Sequence, residues 1–178
     1  MTSFIDNIPV IVNTVAEAKP KNLLDVGPAF GKYGLLVKEA LLSLQAEADD
    51  LFPKPNFKIS GCENADYFLK QKLLPAIYDE VITEDIRKVS VEKLKEFDFI
   101  LLIDIIEHWK KEDFMNLLKN FKVNTKVLIS TPKKVSFYKK NYYGIDKHIT
   151  QFEEKDFSGV DLSTKDSFIY LMTIINYE

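Results

Sequence analysis

Apolar runs and amphipathic segments alternate along the chain, with no internal repeat and no low-complexity tract. The apolar runs predict strands at Asn22–Val26, Phe57–Cys62, Glu80–Thr83, Phe97–Ile103 and Lys126–Ser130. Segments with apolar residues at helical spacing predict helices at Ser3–Ala18, Lys32–Ala46, Ala65–Ile77 and Lys111–Phe121. Such alternation of strands and helices is typical of the α/β class.

The fourth strand and the tail indicate how the sheet is built. Phe97–Ile103 is apolar on both faces, as is expected of a central strand in a parallel sheet with helices on both sides. In the tail, Thr150 and Glu153 have the spacing of a capping box for a short helix. Two β-rich pieces, Gly159–Ser163 and Phe168–Asn176, are close enough along the chain to pair as an antiparallel hairpin.

Composition narrows the class of protein. The 178 residues, 46% of them hydrophobic, suffice for one well-buried domain, so we expect a single domain over residues 1–178. The net charge of -3 does not favour a general polyanion binder. A lone cysteine, Cys62, excludes an internal disulfide framework. With neither a signal peptide nor an apolar run of membrane-spanning length, we expect a cytoplasmic protein.

The segment LLDVGPAFGKYG carries the clearest chemical signal. Gly27 and Gly31 allow a sharp turn close to a ligand, and the helix that follows directs free N–H groups at it. The carboxylate of Asp25 would repel a pyrophosphate, whereas it favours the ammonium and sulfonium groups of S-adenosylmethionine. Ala29 and Tyr33 also occupy positions where the two common dinucleotide-loop spacings require glycine. The pattern therefore predicts a methyl-donor site.

Acidic residues follow the first four predicted strands: Asp25, Glu63, Asp85 and Asp104. In an open parallel sheet, ligands lie at the carboxyl ends of the strands. A carboxylate at Glu63 offers two oxygens to the two hydroxyls of a ribose. Asp85 suits an acceptor for an adenine amino group. NAD sites use similar acceptors, so these two residues alone do not distinguish the two cofactors.

The chain resembles the class I S-adenosylmethionine-dependent methyltransferases over nearly its whole length. The matching pieces are LLDVGPAFGKYG, SGCEN, TEDI, FDFILLIDIIEHW and KVLISTP. The resemblance implies a doubly wound, Rossmann-like, three-layer αβα fold. Its seven-stranded, mostly parallel sheet would have an antiparallel C-terminal strand inserted by a hairpin. Many members carry glycine where this chain has Pro28 or Ala29, so its loop is expected to be stiffer.

The resemblance also implies residue roles. Asp25, Gly27 and Gly31 would hold the methionine part, Glu63 the ribose and Asp85 the adenine. The pocket near the sulfonium would be lined by Asp104, Ile105 and Ile106. The full cofactor-binding set is Asp25, Gly27, Pro28, Gly31, Glu63, Asn64, Asp85, Ile86, Asp104 and Ile105.

Methyl transfer is an in-line displacement at an activated carbon, so a base is needed only when the acceptor must lose a proton. His148 and Asp104 are the predicted catalytic residues, with His148 favoured over His108 because it follows the fifth strand, where acceptors generally enter. Glu107 and His108 can equally serve to position their loop. Adjacent Glu and His lack the one-turn spacing of a helical metal-ligand pair, so we expect no metal.

Residues 132–157, after the fifth strand, form a predicted substrate-side loop. Its stretch Lys133–Tyr143 interleaves basic and aromatic residues, which suits a phosphate-bearing or nucleic-acid acceptor or a lid over the cofactor. The acidic composition favours the lid. The expected function is methyl transfer to an oxygen or nitrogen of a small molecule, glycan or lipid-linked acceptor. The alternatives are a non-catalytic nucleoside- or nucleic-acid-binding module and, less favoured, an NAD-dependent oxidoreductase.

Overall fold

The structure is a computed structural model, which describes residues 4–46, 54–70, 72–134 and 147–175. Its strands are β1 (Asn22–Val26), β2 (Lys58–Cys62), β3 (Glu80–Ile82), β4 (Phe99–Ile103), β5 (Lys126–Pro132), β6 (Val160–Asp161) and β7 (Ser167–Thr173). Its α-helices are α1 (Asn7–Ala18), α2 (Lys32–Gln45), α3 (Asp66–Lys70), α4 (Leu74–Ile77), α5 (Val91–Leu94) and α6 (Lys111–Leu118). Short 3-10 turns cover Ile86–Lys88, Ile106–His108 and Glu154–Asp156.

The described strands form one seven-stranded sheet in the order β3-β2-β1-β4-β5-β7-β6. The first five strands are parallel, and β7 runs antiparallel to both β5 and β6. The predicted doubly wound fold with an antiparallel terminal hairpin is confirmed. The strand order reverses between β1 and β4, and a ligand crevice is expected at that point of such a sheet.

The sheet is covered on both faces because its central strands alternate between two apolar clusters. In β4, Phe99 and Leu101 face the layer of α1, α2 and α4, while Ile100 and Leu102 face the layer of α5 and α6. All five residues of β4 are buried, as its continuous apolar sequence predicts. This packing holds the carboxyl ends of β1, β2 and β4 at one edge.

Two local predictions are wrong. The helix expected over residues 65–77 is interrupted, because Pro75 lies in the first turn of a separate short helix, α4. The predicted capping box at Thr150 is also replaced. Glu153 and Asp156 form the box, while the Thr150 hydroxyl donates to the Trp109 carbonyl at 2.5 Å.

Gly34, inside α2, makes room for an aromatic ring. A Cβ added at Gly34 would lie 2.3 Å from the Cζ and hydroxyl oxygen of Tyr78. Alanine normally gains about 0.5–1 kcal/mol over glycine inside a helix. Here we expect Gly34→Ala to lower the free energy of unfolding by about 1–3 kcal/mol, because the buried ring must move.

Chemical denaturation measures this effect, with Ser43→Ala as the control on the exposed face of the same helix. A Gly34→Ala protein as stable as the parent would show that the Tyr78 ring is not fixed against the helix.

Candidate functional site

The loop between β1 and α2 is built from an unusual alternation of backbone conformations. Gly27, Ala29 and Gly31 have φ angles of 66°, 52° and 81°, all in the left-handed region. The Gly27 N–H donates to the Cys62 carbonyl at 2.9 Å, and the Gly31 N–H donates to the Pro28 carbonyl at 2.8 Å. A left-handed conformation costs a non-glycine residue roughly 1–2 kcal/mol, so Ala29 is held there by its surroundings.

Glu63, directly after β2, holds this loop. One carboxylate oxygen accepts the Ala29 N–H at 3.1 Å, and the other accepts the Ala65 N–H at 2.8 Å. Burial raises the pKa of Glu63, although the backbone hydrogen bonds act against this shift. Each carboxylate oxygen can accept a second hydrogen bond. Glu63 is therefore fixed beside the loop with capacity for two further donors, and the exposed Asn64 follows it.

Asp25 lies beneath the loop and is 2% exposed. Its carboxylate accepts a hydrogen bond from the Tyr78 hydroxyl at 2.6 Å. Burial is the main cause that raises the pKa of Asp25 to about 7; the Tyr78 hydrogen bond lowers it, and the charge of Glu63 adds to the rise. The predicted contact of Asp25 with a ligand ammonium stays a prediction, since the observed partner of this carboxylate is Tyr78.

Asp85, after β3, is engaged by a neighbouring arginine. Both of its oxygens accept hydrogen bonds from the Arg87 side chain, at 2.9 and 2.5 Å, and these bonds hold its pKa below the usual range. Arg87 also pairs with Asp113 and lies 5.4 Å from the centre of the Trp109 ring. The adenine contact of Asp85 stays a prediction, whereas Ile86 lies in the apolar core and is 3% exposed.

The segment after β4 meets the glycine loop. Ile105 covers Gly27 so closely that a Cβ there would lie 2.7 Å from the Ile105 Cδ1. Asp104 has a φ of 51° and accepts the Ser130 hydroxyl at 3.0 Å. Burial raises the pKa of Asp104 to about 6, while the Ser130 hydrogen bond and the positive charge of Lys32 lower it. The glycine loop after β1 and the segment after β4 therefore meet where the strand order reverses.

His148 lies in the same region. Its ring centre is 4.8 Å from that of His108, and the two rings meet at 65°. Glu107 accepts the Thr131 hydroxyl at 3.2 Å, and burial, followed by the charge of Asp104, raises its pKa to about 8. Glu107 is 1% exposed and His148 is 7% exposed. His148 is thus a buried residue beside His108, and its catalytic role stays a prediction.

The predicted substrate-side loop can be followed only at its two ends. Residues 135–146 lie outside the described residues, and with them most of the basic and aromatic stretch. Lys133 donates to the Thr164 carbonyl at 2.6 Å, and the chain resumes at Lys147, whose carbonyl lies 3.3 Å from the Nδ1 of His108.

The architecture matches that of known methyltransferases. An O-methyltransferase family protein from Burkholderia thailandensis aligns over 96% of this chain and 57% of its own, with 10% identity and a TM-score of 0.59. The methyltransferase domain of a bacterial Hen1 protein aligns over 94% and 97%, with 14% identity and a TM-score of 0.61. Magnesium protoporphyrin IX methyltransferase from Synechocystis, solved with bound S-adenosylmethionine, aligns over 93% and 77%, with 12% identity and a TM-score of 0.58.

The chain has the class I methyltransferase fold. It spans little more than half the length of several structures with this fold, including 56% and 58% of two others. No protein-family model and no curated protein sequence matches it. Within the described ranges, none of the helices combines the length and apolar character that crossing a bilayer requires.

Two residues near the crevice of this methyltransferase fold were not anticipated from the sequence. Tyr78 follows the C-terminal end of α4 and donates its hydroxyl to Asp25. Gly34 and Gly61, which make room for its ring, were the only sequence signal for this contact. Lys32 acts electrostatically on both Asp25 and Asp104. The sequence shows that Lys32 comes directly after the glycine loop. It does not show that the fold brings Lys32 near Asp104, which follows β4.

Proposed function

We propose that this chain is an S-adenosylmethionine-dependent methyltransferase. The observation that carries the proposal is the position of Glu63 at the end of β2, where its two oxygens are held by the N–H groups of Ala29 and Ala65. This arrangement presents a fixed acceptor pair beside the glycine loop. A ribose with two free hydroxyls has the complementary pair of donors.

The charge of the crevice supports a cationic cofactor. Asp25, Glu63 and Asp104 lie on the segments that converge there, and Lys32 is the cation that acts on two of them. Burial raises the pKa of all three carboxyl groups, and the positive sulfonium of S-adenosylmethionine would favour their ionised forms, whereas a pyrophosphate would oppose them. Gly27 and Gly31 let the loop backbone turn close to the ligand.

Methyl transfer joins a nucleophilic oxygen or nitrogen of the acceptor to the methyl carbon while the carbon–sulfur bond breaks. The enzyme contributes alignment and exclusion of water. Asp104 and His148 are the proposed residues for removing a proton from the acceptor, because both belong to the region after β4 and β5. The proposed acceptor is a small molecule, a glycan or a lipid-linked intermediate.

Titration calorimetry of the full chain tests the cofactor. We expect S-adenosylhomocysteine to bind one site per chain, and NADH to release no heat of binding at the same concentration. Binding of NADH alone would favour an oxidoreductase, and no binding of either ligand would contradict the proposal. Release of S-adenosylhomocysteine in the presence of an acceptor then separates an enzyme from a non-catalytic binding module.

A further inference from the structure

The two histidines of the chain are brought together by the fold. The whole sequence contains only two, and His108 and His148 come from the segments after β4 and β5. The contact is fixed by the backbone, because the N–H groups of Ile149 and Thr150 donate to the Glu107 carbonyl at 2.9 and 3.1 Å. The juxtaposition of the two rings is therefore part of the tertiary structure.

Glu107 adds a third potential metal ligand to the two histidines. One potential ligand atom from each of Glu107, His108 and His148 lies within 4.8 Å of the other two. Tetrahedral zinc ligands, at about 2.0–2.2 Å from the metal, lie roughly 3.4 Å apart, so small side-chain rotations bring these atoms to binding distance. A surface cluster of carboxylates would not have this composition or burial.

The surrounding groups orient two of these side chains. The Nδ1 of His108 lies 3.3 Å from the Lys147 carbonyl, and a carbonyl can only accept, so in the neutral ring this contact favours the tautomer with its proton on Nδ1. The lone pair of His108 is then on Nε2. The Thr131 hydroxyl donates to one oxygen of Glu107. A carbonyl on the second histidine nitrogen and a hydroxyl on the carboxylate are typical supports of metal ligands.

We propose that Glu107, His108 and His148 form a binding site for a divalent metal ion of the zinc type. The spacing of Glu107 and His108 along the chain did not favour a metal site, but the fold adds His148 from another segment. Two imidazoles and one carboxylate suit such ions, whereas calcium and magnesium prefer oxygen ligands throughout. Three protein ligands leave a coordination position open to water or to a substrate oxygen. A metal ion on His148 occupies the nitrogen that would otherwise accept a proton, so in the metal-bound protein Asp104 is the proposed base. Asp104 and Glu107 accept from Ser130 and Thr131, which are consecutive in β5, so the metal site adjoins the proposed methyl-transfer site.

Calorimetry with zinc chloride tests the site in the untagged full chain after treatment with a chelator. We expect one equivalent of zinc to bind, and Glu107→Gln and His148→Gln each to weaken binding at least tenfold. Glu92→Gln removes an exposed carboxylate on α5 and should bind zinc like the parent. Zinc should also raise the melting temperature of the parent and of Glu92→Gln, and not that of the ligand variants.

A second measurement does not depend on any variant folding. Because the chain has two histidines, all imidazole nuclear magnetic resonance signals of the untagged protein belong to this site. Zinc should shift the signals of both rings. Unshifted signals, or zinc binding that the ligand substitutions leave unchanged, would overturn the proposal. Metal binding is measured without S-adenosylhomocysteine, so its failure is distinguishable from failure of the proposed methyl-donor site.

Discussion

Replacing Glu63 with glutamine is expected to weaken S-adenosylhomocysteine binding by about 10- to 100-fold, which corresponds to about 1.4–2.7 kcal/mol. The substitution removes the negative charge and turns one acceptor oxygen into an N–H donor. Hydrogen bonds to charged groups contribute about 1.5–3 kcal/mol each, so loss of one ribose contact accounts for the effect. The new amide also faces the N–H of Ala29 or Ala65, which already donate to this side chain.

Glu84→Gln is the matched control, because it removes the same charge from an exposed position near the end of β3. It should bind S-adenosylhomocysteine like the parent. Melting temperatures without ligand report whether the Glu63 variant remains folded. Equal affinities of the Glu63 variant and the parent would show that this carboxylate does not contact the cofactor.

The analogue of S-adenosylhomocysteine that lacks the ribose 2′-hydroxyl sharpens this test. The parent should bind the analogue more weakly than the complete ligand, since Glu63 loses one donor. In Glu63→Gln the affinities for the two ligands should differ less than in the parent. The change in this difference between the two proteins measures the coupling free energy between the carboxylate and the hydroxyl. No coupling would assign the ribose hydroxyls to another residue.

The second large effect is expected at Asp25. Its pKa is raised from 3.8 to about 7 in the folded protein, mainly by burial. Between these values the unfolded chain releases the proton while the folded chain retains it, so the free energy of unfolding falls as the pH rises. Below the lower value both states are protonated, and the penalty is absent. Full ionisation corresponds to a loss of roughly 4 kcal/mol.

Asp25→Asn cannot ionise and should lack this loss. The amide oxygen can still accept the Tyr78 hydroxyl, so the variant should keep this hydrogen bond. Its stability relative to the parent should therefore increase from pH 4 to pH 8, as measured by chemical denaturation at both values. Asp66→Asn, at a side chain that is 84% exposed, provides the control and should follow the parent. Parallel curves for the parent and Asp25→Asn would contradict the raised pKa.

The sequence by itself determined most of the fold. The bounds of β1 agree with the prediction, and the start of α2 at Lys32 agrees as well, because apolar periodicity and glycine spacing are local signals. The burial of β4 on both faces followed from its continuous apolar run. The prediction of one continuous helix after β2 was wrong. The apolar spacing continues through Pro75, but a proline fits only the first turn of a helix, so a new helix begins there.

The sequence also located the acidic residues that follow the first four strands. Because parallel strands end at the same edge of a sheet, these residues were expected to lie on one side of it. Only the tertiary structure decided what each side chain contacts. It directs Asp25 to Tyr78, Asp85 to Arg87, and His148 to His108. Tyr78 and His108 come from distant segments of the chain, and the contact of Arg87 with Asp85 depends on the arginine rotamer. Neither spacing nor composition encodes the distances between these side chains. Local patterns set the positions of the acids along the chain, while long-range packing selected their partners and brought the two histidines together.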